Sequence, residues 1–260
     1  MNHVPRLSEA VYFGLSKLIG TPTQLRIRRE VKGIEQETRL GLYTKGVYPM
    51  YGMLTGSRGE GFRASFADQD VMFWPHNHNV ICELSQISRY CIPQDTVILM
   101  ECEDLKPGFT KLNLLSPTQF SAVGSSCIVI SNKVYISTLI RDLIVLAVNM
   151  GSNSPHWFLH GPCCSNVLRL GDLSVYMDFA FSFHSHHWPT ISLPWIQRCR
   201  TQGWPSEDVV SDILNGGFHV VPIGSTPENE LEWRISFSQA ELKLVFAMNH
   251  SYGDLPYFIC

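Results

Sequence analysis

An α+β fold is predicted by three features of the sequence. Two helical segments open the chain, short apolar runs bounded by turn residues fill its middle, and helical signals return in its last third. At 260 residues, with 45% hydrophobic and 17% charged side chains, the chain suits one large domain or two tightly joined lobes. The expected division is an N-terminal helix in 1–20, a core in 21–190 and a mostly helical C-terminal lobe in 191–260.

The first helix is expected over Ser8–Ile19, ended by Gly20, because glycine takes the left-handed conformation that closes a helix. The next begins at once. Thr21-Pro22-Thr23-Gln24 offers a threonine cap, proline at the first helical position and glutamine at the third, and the helix should run to about Leu42. A turn-rich stretch over Lys45–Tyr51 leads into Thr55-Gly56-Ser57-Arg58-Gly59-Glu60-Gly61, whose glycines mark a bend with close backbone approach. Strands are expected over Val71–Trp74, Val80–Leu84, Thr96–Glu101, Lys111–Leu115 and Cys127–Ser131.

Tyr135–Asn149 carries apolar residues at helical spacing and is expected to be a helix stopped by Gly151. Leu173–Phe183 alternates with period two. Leu173, Val175, Met177, Phe179, Phe181 and Phe183 share one face, while Tyr176, Asp178, Ala180 and Ser182 share the other. Asp178 is therefore aimed away from the apolar side. In the last third, a helix over Ser206–Asn215, extended segments at Phe218–Ile223 and Leu231–Phe237, and a helix from Ser238 with the capping box Ser238-Gln239-Ala240-Glu241 are expected, followed by a turn at Asn249–Gly253.

A net charge of −3 excludes the basic excess of a dedicated nucleic-acid binder, so any such contact must be a local patch. The eight cysteines include no Cys-x-x-Cys pair and read as reduced thiols. The start lacks the order of a secretory signal, and the longest apolar run, Leu143–Val148, is too short to span a bilayer. A soluble cytoplasmic protein with no membrane partner is the expectation.

The chemistry concentrates in Asp68-Gln69-Asp70. On a strand the two carboxylates fall on one side, roughly 7 Å apart at two strand rises, close enough to converge on divalent metal. Magnesium bridging phosphate oxygens and an attacking hydroxyl would offset charge and orient an in-line displacement. Asp178, the one acid on an otherwise apolar strand, is the candidate third ligand. Gly56 and Ser57 lie just upstream, where backbone N–H groups and the serine hydroxyl can cradle a triphosphate. The Walker order Gly-x-x-x-x-Gly-Lys-Ser is absent.

These stretches resemble the cyclic GMP-AMP synthase-like receptors and the related male-abnormal-twenty-one (Mab) proteins. The resemblance is carried by Gly56-Ser57-Arg58-Gly59-Glu60-Gly61-Phe62 followed by Asp68-Gln69-Asp70-Val71-Met72-Phe73, and by Val175-Tyr176-Met177-Asp178-Phe179 with Trp188-Pro189. Gly203-Trp204-Pro205 and Glu232-Trp233-Arg234-Ile235-Ser236-Phe237-Ser238 with Ala240-Glu241 complete it. It covers about residues 21 to 250.

The resemblance implies a two-lobed nucleotidyltransferase fold with a long spine helix at Pro22–Leu42, a mixed sheet bearing the acids and a helical C-terminal lobe. By the same resemblance, Gly56 and Ser57 contact the triphosphate, Asp68, Asp70 and Asp178 bind two magnesium or manganese ions, and Arg234 reaches the nucleotide. It also implies ATP and GTP as substrates, a cyclic dinucleotide as product, and double-stranded RNA or other nucleic acid as activator. Some members have lost the acids and serve as non-catalytic scaffolds, the alternative reading for this chain. No zinc is expected, since the vertebrate synthase's His-Cys-Cys-Cys thumb has no counterpart after His250. The family's C-terminal lobe continues further, so the lobe is expected to be incomplete here.

Other features have blander readings. Arg26, Arg28, Arg29 and Lys32 on the spine could contact a phosphate backbone, but Glu30, Glu35 and Glu37 interleave with them, and a solvated face with intrahelical ion pairs is preferred. His184, His186 and His187 read as loop or strand-end histidines rather than metal ligands. Cys163 and Cys164 read as incidental thiols in a Gly-Pro turn, and Trp188, Trp195, Trp204 and Trp233 as packing residues.

Overall fold

Residues 3–40, 50–62, 68–90, 95–115, 128–132, 158–160, 163–170 and 173–251 are described by a computed structural model. Helix α1 (His3–Ile19) ends at Gly20, whose φ of 106° confirms the left-handed stop. Helix α2 (Pro22–Leu40) starts from the expected capping box. The Thr21 N–H donates to Gln24 Oε1 at 2.9 Å, and the Gln24 N–H donates to Thr21 Oγ1 at 3.3 Å. Arg29 ties α2 to the rest of the fold. Its Nε donates to the Glu60 carbonyl at 2.8 Å, and its guanidinium lies 5.5 Å over the Phe62 ring.

Strand β1 (Met50–Thr55) runs directly into the short helix α3 (Gly56–Gly59), so the expected turn stretch gives way to a strand at Met50 and Tyr51. Strands β2 (Gln69–Pro75), β3 (His78–Ile81), β4 (Thr96–Glu101), β5 (Phe109–Leu115) and β6 (Ile128–Val129) lie on the expected apolar runs. Strand β3, however, ends at Ile81, short of the expected Leu84, which instead opens a 3-10 turn, and β6 covers two residues of the expected Cys127–Ser131. The helix expected over Tyr135–Asn149 lies outside the described residues. Strands β7 (Phe158–His160) and β8 (Cys163–Leu170) were not read from the sequence, and β8 replaces the turn expected at Cys163-Cys164.

The expected strand Leu173–Phe183 is two strands, β9 (Leu173–Phe181) and β10 (Phe183–Ser185). At the break, the Ser182 N–H donates to the Phe73 carbonyl at 2.8 Å, and the chain passes from one sheet to the other. Phe181 and Phe183 continue one alternation yet fill different cores. Helices α4 (Leu193–Gln202) and α5 (Glu207–Gly216) come next, then β11 (Phe218–Val221), β12 (Glu232–Ser236) and α6 (Ser238–Ser251). The turn expected at Asn249 is thus helical as far as Ser251. The Ser238 hydroxyl pairs with Ser236 Oγ at 2.9 Å, a contact outside the expected capping box.

Two mixed sheets organise these strands. The first is five-stranded, in the order β1-β2-β9-β8-β7, and the second seven-stranded, β12-β11-β10-β3-β4-β5-β6. Because β12 also pairs with β5, the second sheet closes on itself. Its interior holds Val80, Ile98, Leu112, Phe183, Phe218, Val220 and Trp233, each worth roughly 1.5–3 kcal/mol on full burial. The Trp233 Nε1 donates to the Ile130 carbonyl at 2.9 Å, which satisfies the one polar atom of that buried ring. Trp188 and Trp195 pack together at 5.6 Å, whereas Trp204 is 41% exposed and corrects its assignment to packing.

Candidate active site

Alternation on β2 divides its side chains cleanly. Val71 and Phe73 join Leu54, Cys164 and Phe181 in an apolar layer, so Asp70, Met72 and Trp74 occupy the other face. Strand β9 lies parallel to β2 with Asp70 directly beside Asp178, and Thr55 at the end of β1 faces Asp70 from the other side. Asp68, one residue ahead of β2, is on the Asp70 side. Ligand oxygens of Asp68, Asp70 and Asp178 all lie within 4.8 Å of one another, the one such group among the described residues that could hold a metal ion. The exposed Tyr176 extends this acidic face beyond Asp178.

The electrostatics favour a cation. The Asp70 carboxyl is pushed up to about 6, first by burial and then by the charges of Asp68 and Asp178. Cys163, on the same face one row along at the Ala180 position, is pushed up to about 12 by burial and then by the three acids. Hard carboxylate oxygens in this number suit Mg2+ or Mn2+, and a bound divalent ion would relieve their mutual repulsion. The residues present therefore fit the metal.

Gly56 closes against the acids. Its φ is 65°, and a Cβ there would overlap the Asp70 carboxylate, so only glycine leaves that carboxylate in place. Ser57 follows it, exposed at the first turn of α3. Across from the acids, Val221 packs on Met53 and Met72, the row next to Thr55 and Asp70. Arg234 pairs with Val221 in the β11–β12 ladder, so it shares the face turned toward the acidic sheet, and its side chain is exposed.

The spine cations are disposed differently. Arg26 is exposed and lies 3.9 Å from Glu30 one turn on, Arg28 lies against Gly20, and Arg29 is turned inward onto Glu60 and Phe62. Lys32 is on the same helix. His184 and His187 are buried: His184 Nε2 is 2.8 Å from the Gly216 carbonyl and His187 Nε2 is 3.2 Å from the Tyr90 hydroxyl.

Two residues of the acidic face were missed by sequence reasoning, Cys163 and Ser165 on β8. Ser165 stands directly opposite Asp178. A signal was available in Gly171-Asp172, a two-residue hairpin spacing between Leu170 and Leu173 that pairs the preceding run with the Asp178 strand.

The site thus brings together an acid pair at the start of β2 and a third acid from its parallel neighbour, on a mixed α+β scaffold beside a glycine-serine turn. Residues 140–245 match the family model of the Mab-21 protein nucleotidyltransferase domain. That is the family which the motifs resemble, and the matched stretch contains Ser165, Asp178 and Arg234, with Gly56, Ser57, Asp68 and Asp70 ahead of it. No curated protein matches the chain. No helix among the described residues is long and apolar enough to cross a membrane.

Proposed function

We propose that this protein is a metal-dependent nucleotidyltransferase that joins nucleoside triphosphates into a cyclic dinucleotide. The observation that carries the proposal is the meeting of Asp68, Asp70 and Asp178 within 4.8 Å, next to a glycine that the Asp70 carboxylate requires. In this reading the layout is two-lobed, with α2 as its spine, residues 21–190 as the catalytic core and 191–260 as the C-terminal lobe.

Asp68, Asp70 and Asp178 would hold two Mg2+ or Mn2+ ions. When bound, these ions neutralise the triphosphate and lower the barrier to attack by a ribose hydroxyl. The chain's own residues bind and orient. The first turn of α3 leaves backbone N–H groups without intrahelical partners, and with the exposed Ser57 hydroxyl these would grip phosphate oxygens. Arg234 would reach the nucleotide from the facing sheet. Much of the rate enhancement would come from this positioning. Any contact of α2 with an activating double-stranded nucleic acid would draw on Arg26, Arg28 and Lys32.

The test incubates purified protein with ATP, GTP and Mn2+, with and without double-stranded RNA or DNA, and separates the products. A dinucleotide formed by the wild type and lost in Asp70→Asn and Asp178→Asn is the expected result. No product in any mixture, together with no metal-dependent nucleotide binding, would leave a scaffold that keeps only the fold.

A further inference from the structure

Ser165 is 3% exposed, and its Oγ has no hydrogen-bond partner among the described residues. A buried hydroxyl left unmade is costly, and native proteins rarely tolerate one without a use. Its place in the sheet is specific. Antiparallel pairing of β8 with β9 sets Ser165 directly across from Asp178, and cross-strand partners project on the same face. The orphan hydroxyl therefore stands on the acidic face, beside the acid that comes from the second strand. The layer beneath is apolar: Cys164, the next residue along β8, is buried there with Val71 and Phe181.

We infer that Ser165 is a positioning residue for the metal site: its hydroxyl donates to the Asp178 carboxylate when the site is loaded. This rests on the metal-dependent reading above. Metal-ligating carboxylates are themselves hydrogen-bonded, which fixes their orientation, and loss of such a partner typically weakens metal binding about 10–100-fold. A serine has three staggered positions about χ1, so one torsion can swing Oγ toward the carboxylate without moving the backbone. Metal-free, the same group is an unsatisfied polar atom. It therefore contributes to the loaded state and not to the empty one.

The experiment measures Mn2+ affinity by electron paramagnetic resonance, and the melting temperature without metal, for wild type, Ser165→Ala, Ser165→Thr and Asp178→Asn. The expected result is that Ser165→Ala weakens Mn2+ binding about 10-fold. Without metal it melts at or above the wild-type temperature, and Ser165→Thr restores affinity by restoring the hydroxyl. Equal Mn2+ affinity of wild type and Ser165→Ala overturns the assignment while leaving the metal site intact. So does a Ser165→Ala protein that loses stability without metal and keeps its affinity, since that is a purely structural serine. Wild type that binds no Mn2+, like Asp178→Asn, overturns the metal reading itself and this inference with it.

Discussion

Asp70 and Asp178 occupy the same register position on adjacent parallel strands, so two negative charges from distant parts of the chain are held side by side by main-chain pairing. The backbone fixes this geometry whether or not a cation is present. Metal-free, the pair opposes folding, and Asp70 shows it in a carboxyl raised to about 6, by burial first and by Asp68 and Asp178 after.

Asp70→Asn should therefore make the metal-free protein more stable. A carboxyl whose folded pKa lies above its unfolded value contributes stability in full below that unfolded value, and the contribution is lost as pH rises through about 6. At pH 7.5 the charged form is a liability that asparagine removes. Because the side chain is partly exposed, solvent screening reduces the gain to about 1 kcal/mol. Thermal unfolding in chelator should show the variant melting a few degrees higher. A lower melting temperature would mean that Asp70 is stabilised by a contact other than metal.

Metal affinity should depend on pH in the opposite sense. With Asp70 as a ligand, protons and Mn2+ would compete for the same carboxylate, so affinity should level off well above about 6, where Asp70 is fully ionised, and fall as pH drops through that value. Mn2+ titrations at pH 7.5, 6 and 5 measure this directly. A flat profile would remove Asp70 from the ligand set.

Much of this site was legible in the residues themselves. The Asp68-Gln69-Asp70 spacing, the period-two pattern around Asp178 and the Gly56-Ser57 bend each pointed to the right face or turn, and the Thr21–Gln24 box started α2 where it was read. What stayed hidden depends on register. The sequence cannot say that Asp178 stops beside Asp70 rather than one pair further along. Nor could it show the switch at Ser182, because alternation continues unbroken while the strand changes sheets and Phe183 enters another core. Strand β8 escaped because Ser165, Asn166 and Arg169 dilute its apolar pattern, and Pro162 suggested a turn.

Gly56→Ala should damage both stability and metal binding. The added Cβ meets the Asp70 carboxylate, and an L side chain is strained at a φ of 65°. A loss on the order of 1–3 kcal/mol in urea denaturation is expected, with weaker Mn2+ binding as the carboxylate is displaced. Retained affinity in a folded variant would show that Asp70 can move and still bind the ion.

Arg29→Ala should cost far more than Arg26→Ala, although both belong to the same basic stretch. Arg29 loses its 2.8 Å bond to the Glu60 carbonyl and its place over Phe62, a loss of about 1–3 kcal/mol. Arg26 loses an exposed pair with Glu30 worth about 0.5 kcal/mol at most. Urea unfolding of the two variants separates the inward cation from the solvated one, and equal losses would contradict the assignment of Arg29 to the fold.

The buried histidines between the sheets predict acid sensitivity. His184 and His219 pair across β10 and β11 with rings 4.8 Å apart, and Trp74 contacts His219 at 4.5 Å. Burial, opposed by a bond to the Gly216 carbonyl, holds His184 down to about 4, and burial with His184 and His186 nearby holds His219 well below its usual range. Above pH 6.5 these rings are neutral in both the folded and unfolded states. As pH falls below 6.5 the unfolded chain takes up protons first, so stability is lost progressively down to about 4, by about 3 kcal/mol for His184. Neither ring nitrogen of His219 has a partner among the described residues. His219→Leu should accordingly flatten the loss between pH 6.5 and 5 in urea denaturation followed by tryptophan fluorescence. An unchanged slope would mean that His219 takes up its proton in the folded protein as readily as in the unfolded chain, which a ring buried this fully between two sheets should not do.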